Sequence, residues 1–357
     1  MRNQFYLFVI FFLFLGNKTY SQNSVSLFQG NLTTPNPMII DGDDIYVGLY
    51  YSDKIVKMNL SDPSIPPVDV VTNVNRPYGL AIKDNMLYFS EFMGNKISKI
   101  NLANTSLAPE IVIPFVNRPI GIEFVGNNLF IALEADNKIV KADVTQASPQ
   151  LIDVANVTAP FEIEAVDDYL YISERVPLQS FAGKISKISL NSTSTTPTTV
   201  VQGLDRPSGI VSYKKQLYIA EAGTSKIVKI STADSNPTVS DAVISSLFDY
   251  PSGLAIHDDI LYVTDFFASS VFKVEFGALS VSELNSIKNN NIKIYPNPVN
   301  DILNVYNSPS EEYKIFDKTG RLINSGTLER NSVNVSQLTE GNYIIKIGEI
   351  TKKFIKK

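Results

Sequence analysis

Arginine, carboxylate and aromatic side chains recur in this 357-residue chain at fixed offsets from a repeated proline, found at Pro37, Pro77, Pro119, Pro160, Pro207 and Pro251. A residue just before the proline and another fifteen positions later are expected to share a face, because one starts a strand and the other ends its antiparallel neighbour. The pairs are Arg76 with Glu91, Arg118 with Leu133, Ala159 with Glu174, Arg206 with Glu221, and Tyr250 with Asp265. Two units carry a matched Arg and Glu, while Arg118 and Glu174 lie in adjacent units and are placed to pair across them. Two roles suit this set: structural ion pairs and turn hydrogen bonds, or a polar rim on which arginine's planar fork meets a carboxylate or phosphate. On the same face Tyr50, Tyr51, Phe92, Phe266 and Phe267 fall in loops, where exposed rings suit a sugar or a peptide segment. A third set, Asp41, Glu123, Glu162 and Glu164, offers the hard oxygen ligands that Ca2+ or another divalent cation takes.

Other chemistry is excluded by composition. Cysteine is absent, which rules out disulfides and thiolate metal sites, and His257 is the only histidine, set beside Asp258 and Asp259 in a turn sequence. With 31 basic and 36 acidic residues there is no basic footprint for nucleic acid.

The elements that position these residues follow from the repeat. A Lys-Ile segment recurs in step at Lys54, Lys96, Lys138, Lys184 and Lys226, with Ser270 in the sixth copy. Within each unit of about 40 residues, short apolar runs alternate with Asn, Asp, Gly and Pro clusters, the pattern of antiparallel strands joined by turns. Three strands follow each proline. A fourth precedes the next, at 68–71, 110–113, 150–153, 198–201 and 242–246. Four strands per unit make a propeller blade, so the expected fold is all-β, a six-bladed β-propeller over residues 22–277. The sixth unit lacks room for an outer strand, and residues 24–28 are expected to supply it, closing the ring. In the fourth unit the loop between Glu174 and Lys184 is longer than its counterparts, and Val176-Pro177-Leu178-Gln179 is expected to overhang the channel.

The units share Pro-x-Gly-Ile/Leu, then Leu-Tyr-x-x-Asp/Glu, then Asn-Lys-Ile, best preserved in 76–100, and so resemble the NHL repeat and its YWTD and gluconolactonase-like relatives. That resemblance implies the fold but not one activity, since such rings include enzymes, binders and scaffolds. The gluconolactonase-like members hold a divalent cation in the channel, which would make the chain a lactonase-like hydrolase using the third set. Without a matching motif around those carboxylates, the leading expectation is a non-enzymatic binding or scaffold module for an extracellular glycan or peptide, with no cofactor.

Both ends of the chain speak of export. Arg2, an apolar run from Phe5 to Leu15 and the polar stretch to Ser21 read as a signal peptide over 1–21, too short an apolar run to span a bilayer, and no transmembrane span is expected in the mature chain. A linker over 278–291 leads to a second unit, 292–357, that lacks the repeat and alternates as a small β-sandwich. Its landmarks are Tyr295-Pro296-Asn297-Pro298, the Gly320-Arg321 hairpin, Gly341-Asn342-Tyr343 and a basic C-terminus. In that order they resemble the type A sorting domain of type IX secretion, which implies the type IX machinery as partner and a location outside the cell or on the outer-membrane surface.

Overall fold

Buried side chains fill the second strand of every repeat almost without interruption, because each sheet is covered on both faces by its neighbours. The computed structural model describes residues 23–176, 179–191, 196–276, 293–306, 312–317, 321–328, 331–347 and 350–357. The expected signal segment, the expected linker and Pro177-Leu178 of the long fourth-unit loop lie outside the described residues. The chain divides into two compact units, the first being Gln22–Phe276.

The first unit consists of six four-stranded antiparallel sheets. A leading strand β1 (Ser24–Gln29) precedes blade one, formed by β2 (Pro35–Asp41), β3 (Asp44–Leu49), β4 (Lys54–Asn59) and β5 (Val68–Thr72). Blade two is β6 (Pro77–Lys83), β7 (Met86–Glu91), β8 (Lys96–Asn101) and β9 (Glu110–Ile113). Blade three is β10 (Pro119–Val125), β11 (Asn128–Leu133), β12 (Lys138–Asp143) and β13 (Ile152–Asn156). Blade four is β14 (Pro160–Val166), β15 (Tyr169–Glu174), β16 (Gly183–Ser189) and β17 (Thr198–Leu204). Blade five is β18 (Pro207–Tyr213), β19 (Gln216–Glu221), β20 (Lys226–Ser231) and β21 (Ser240–Ile244). Blade six has β22 (Pro251–His257), β23 (Ile260–Asp265) and β24 (Ser270–Glu275), and β1 completes it by pairing antiparallel with β24, Ser24 opposite Glu275. The ring closes as the sequence predicts. The outer strands β13 and β21 sit two residues away from their expected positions, and a register shift interrupts the pairing of the third and fourth strands in blades one to five.

Blade one also corrects the repeat frame. Pro35 pairs with Leu49 as Pro77 pairs with Glu91, so the first turn proline is Pro35 and not Pro37. Pro37 stands where the other blades have Gly79, Gly121, Glu162, Gly209 and Gly253. Inner strands approach each other closely at this position: a Cβ on Gly79 would lie 2.2 Å from the Ile120 carbonyl oxygen, and one on Gly253 would lie 2.1 Å from that of Asn36. That contact is why the motif needs glycine. Blade one accommodates its proline by placing Gly48 against it.

Adjacent blades are joined by apolar clusters, such as Ile97, Ile122, Leu129 and Ile131 between blades two and three. Hydroxyls stitch several seams. Ser90 Oγ accepts from Gly79 N and donates to Ile120 O, both at 2.7 Å, and Thr264 Oγ1 does the same for Gly253 N and Asn36 O. Ser173 bridges blades four and five through Ser208 O at 2.8 Å.

In the C-terminal unit a three-stranded sheet, β25 (Lys293–Tyr295), β26 (Ile302–Tyr306) and β29 (Ser332–Asn334), accompanies a four-stranded one ordered β28 (Leu322–Thr327), β27 (Glu312–Asp317), β30 (Gly341–Ile347), β31 (Ile350–Lys356). Val299, Leu303, Ile315, Val333, Ile345 and Phe354 are among its buried core residues. The Tyr-Pro-Asn-Pro segment is a clasp: Asn297 donates to Lys353 O and accepts from Ile355 N at 2.9 Å, and Val299 bonds to the main chain of the last strand. Among the described residues no helix is long and apolar enough to cross a membrane.

Candidate functional site

Three columns of the repeat meet at the end of the ring where the inner strands begin. Residues directly after the second strand are Tyr50, Phe92, Glu134, Arg175, Ala222 and Phe266. Those directly after the turn proline include Tyr78, Ile120 and Phe161. Those directly before it are Thr34, Arg76, Arg118, Ala159, Arg206 and Tyr250, of which all but Tyr250 adopt positive φ between 44° and 57°. Tight turns into each inner strand therefore bring one residue of each column to the mouth of the channel.

Rings dominate this mouth. Tyr50 contacts Tyr51 at 4.9 Å between centroids, Tyr78 at 5.2 Å and Phe266 at 5.9 Å, so the expected loop aromatics are brought together. Tyr78 in turn contacts Phe92 at 5.3 Å and Phe161 at 5.4 Å, extending the array across the opening. Phe266 also meets Phe267, and both meet Tyr250. Most contacts are edge-on or tilted, the arrangement ring quadrupoles favour. Tyr51 is 60% exposed and Phe267 is 61% exposed, whereas Tyr50 is buried. Inside the array is a pocket of ≈ 400 Å³ lined by rings from blades one, two and four, together with Glu134, Arg175 and Arg206.

Guanidinium groups lie on these rings. The Cζ of Arg76 is 5.1 Å from the Tyr50 centroid and 5.3 Å from that of Tyr51, and its Nη1 donates to the Tyr50 hydroxyl at 3.2 Å. Arg118 is 5.5 Å over Phe92. Arg175 lies 4.9 Å over Phe161 and 5.5 Å over Tyr250, and donates to the Tyr250 hydroxyl. Burial raises the Tyr78 hydroxyl well above the usual phenol range, so it stays protonated as a neutral donor.

The carboxylates do not form the expected rim. Glu91, Glu174, Glu221 and Asp265 are all buried, at 4% exposure or less, in the site that Leu49 and Leu133 fill in blades one and three. Glu91 accepts from Asn75 N, Ser98 Oγ and Lys96 Nζ. Asp265 accepts from the backbone N–H groups of Asp249, Tyr250 and Ala268. Glu174 and Glu221 are paired with Lys184 at 3.2 Å and Lys226 at 3.6 Å. Neither the Arg76–Glu91 and Arg206–Glu221 pairs nor the Arg118–Glu174 bridge forms, because these acids point between the blades, where Glu91, Glu221 and Asp265 cap the turn before the inner strand and Glu174 meets Lys184. Among the described residues Arg206 has Asp205 within ion-pairing distance, at 3.8 Å. Where the second strand ends in leucine, the lysine of the third strand turns outward instead: Lys54 pairs with Asp69 and Lys138 with Asp153.

The inner-strand carboxylates lie deeper. Glu123, Glu162 and Glu164 line a channel space of ≈ 220 Å³ whose other walls are apolar. Burial, followed by the nearby Glu164 and Glu162, pushes Glu123 up to about 8, and burial likewise brings Glu162 to about 8. Burial raises Glu164 too, against the hydrogen bonds it accepts from Ser212 N and Oγ. Asp41 is separated from them, exposed at the far end of β2. Among the described residues no group of three or more His, Asp and Glu is placed to hold a metal ion.

Sequence reasoning missed Arg175, Glu134, Tyr78, Phe161 and Tyr250 as members of one site. Aligning the columns after the second strand and after the proline exposes all but Tyr250, which the pairing with Asp265 had named for another role.

Comparison with known proteins bears on the two units separately. Residues 293–357 match the secretion system C-terminal sorting domain. The C-terminal unit is thus a type IX sorting domain, and the chain is destined for the cell surface or the extracellular space. No curated protein matches the chain. Among solved structures, an auxiliary nutrient binding protein from Bacteroides ovatus aligns at 12% identity, covering 71% of this chain and 77% of that one with a TM-score of 0.58. A catalytically inactive virginiamycin B lyase from Staphylococcus aureus with quinupristin aligns at 16% identity over 71% of this chain and 99% of that one, TM-score 0.52. A nidogen/laminin complex aligns at 18% identity over 65% and 89%, TM-score 0.53. At these identities the likeness is one of fold, that of the β-propeller.

Proposed function

We propose that the chain is a secreted binding propeller that captures an extracellular glycan or peptide at its aromatic mouth. The observation that carries this reading is the pocket of ≈ 400 Å³ walled by rings from three blades and flanked by exposed Tyr51 and Phe267. Such a site buries flat apolar surface at small entropic cost, because its rings are already ordered by one another. Export begins on this reading with removal of residues 1–21, and N-terminal sequencing of the secreted protein should start at Gln22. The double variant Tyr51→Ala/Phe267→Ala, which leaves the buried Tyr50 in place, should weaken every ligand found in a glycan and peptide screen by about tenfold or more. Unchanged affinity for all of them would place binding elsewhere.

The rival, a divalent-metal-dependent lactonase-like hydrolase, draws less support. Its four carboxylates are split between the channel and the far end of β2, and Glu123 and Glu162 hold their protons near neutral pH. Calorimetric titration with Ca2+ decides between them: a bound ion lost in Glu123→Gln would favour the hydrolase.

A further inference from the structure

All four arginines of the propeller, Arg76, Arg118, Arg175 and Arg206, come to this one mouth, although the same segment also contains fourteen lysines. The lysines that start the third strands are each held by an acid, as with Lys54 and Asp69 at 2.8 Å or Lys96 and Glu91 at 3.2 Å. The acids ending the second strands are buried and consumed by those lysines and by backbone N–H groups. Arg76, Arg118 and Arg175 have no carboxylate within ion-pairing distance among the described residues. Glu134 is the acid that lines the pocket with Arg175 and Arg206, and Asp53 lies near Arg76. A chain with formal charge -5 therefore has a positive mouth.

Stacking occupies the faces of a guanidinium and leaves edge N–H donors for an oxyanion, even where one donor is held by a tyrosine hydroxyl as in Arg76 and Arg175. We infer that the ligand is an acidic glycan, its carboxylate or sulfate received by these arginines while a sugar face lies on the rings; this rests on the mouth being the binding site. A glycan is favoured over an acidic peptide because the groups on offer are side chains. The main-chain donors and acceptors of the inner strands are engaged in their sheets and in bonds to side chains, such as Gly79 N with Ser90 Oγ within blade two and Ile120 O with Ser90 Oγ between blades, so a peptide backbone finds no edge to extend.

The test is calorimetry on the full secreted protein with tetragalacturonate, its methyl ester, a sulfated neutral-backbone tetrasaccharide, an uncharged tetrasaccharide and hexaglutamate. The expected result is binding of the uronate or the sulfated sugar, whichever is the source of charge, at least about tenfold tighter than the ester and the uncharged sugar. That binding should weaken with added salt and fall about tenfold in Arg118→Gln, whose exposed side chain leaves folding intact. Equal binding of ester and acid, or of the uncharged sugar, would overturn the charge preference and leave the mouth as the site. Hexaglutamate binding without any sugar would overturn the glycan. An Arg118→Gln protein that binds the acidic sugar normally would remove the arginines from recognition. Silence from every probe would count against the mouth itself.

Discussion

Replacing Thr264 by valine removes one hydroxyl and almost nothing else, and it does so at the seam where the sixth blade meets the first. Thr264 is fully buried, and its Oγ1 accepts from Gly253 N and donates to Asn36 O, each at 2.7 Å. Valine matches threonine in shape, so packing is retained while a buried N–H and a buried C=O lose their partner. Each orphan costs about 1–3 kcal/mol, and no longer burying the hydroxyl offsets part of the sum, giving a net loss of about 2–4 kcal/mol. Urea unfolding followed by far-ultraviolet circular dichroism measures it as a lower midpoint at unchanged slope. Thr264→Ser is the companion variant, because it keeps the oxygen and loses a methyl group worth about 1 kcal/mol. A loss below about 0.5 kcal/mol in Thr264→Val, or equal losses in both variants, would refute the view that inter-blade hydroxyls hold the ring together.

Glu91→Leu copies the residue that blades one and three carry naturally, yet it should destabilise by about 2–4 kcal/mol, because Lys96, Ser98 Oγ and Asn75 N all lose their acceptor. Adding Lys96→Ala should recover part of that loss in the same unfolding assay. The channel carboxyls set a pH dependence of definite sign. Glu123 and Glu162 have folded values of about 8, raised from 4.5, so they favour folding most below pH 4.5, and this contribution is lost as pH rises to about 8. Glu123→Gln should flatten the decline between those limits, and unfolding midpoints that fall just as steeply in the variant would contradict the assignment.

The ring was readable because its unit is short and repeated: six prolines, five Lys-Ile segments and an orphan strand at 24–28 define blades and closure without any long-range information. The mouth was readable only in part. Tyr50, Phe92 and Phe266 announce themselves as ring-bearing loop residues, but Tyr78 and Phe161 occupy the second position of strands whose other members are Asn36, Ile120, Ser208 and Ser252, and look like ordinary alternation. The acids misled for a related reason. Residue spacing places Glu91 at the mouth end of its strand but does not say which side of the sheet the side chain takes, although Leu49 and Leu133 at the same position already mark an inter-blade site. The Pro37 frame failed because a second proline, two residues away, is the one that keeps the register.

Joining Ser24 to Glu275 has a kinetic meaning as well as a structural one. Most pairings within a blade link neighbours along the chain and can form while synthesis continues, whereas this one spans almost the whole domain and must wait for the last hairpin to emerge. The six sheets therefore remain an open arc until the latest step of assembly. By the same logic the arc reopens at that seam, and amides in 24–29 should be the first of the ring to exchange with solvent.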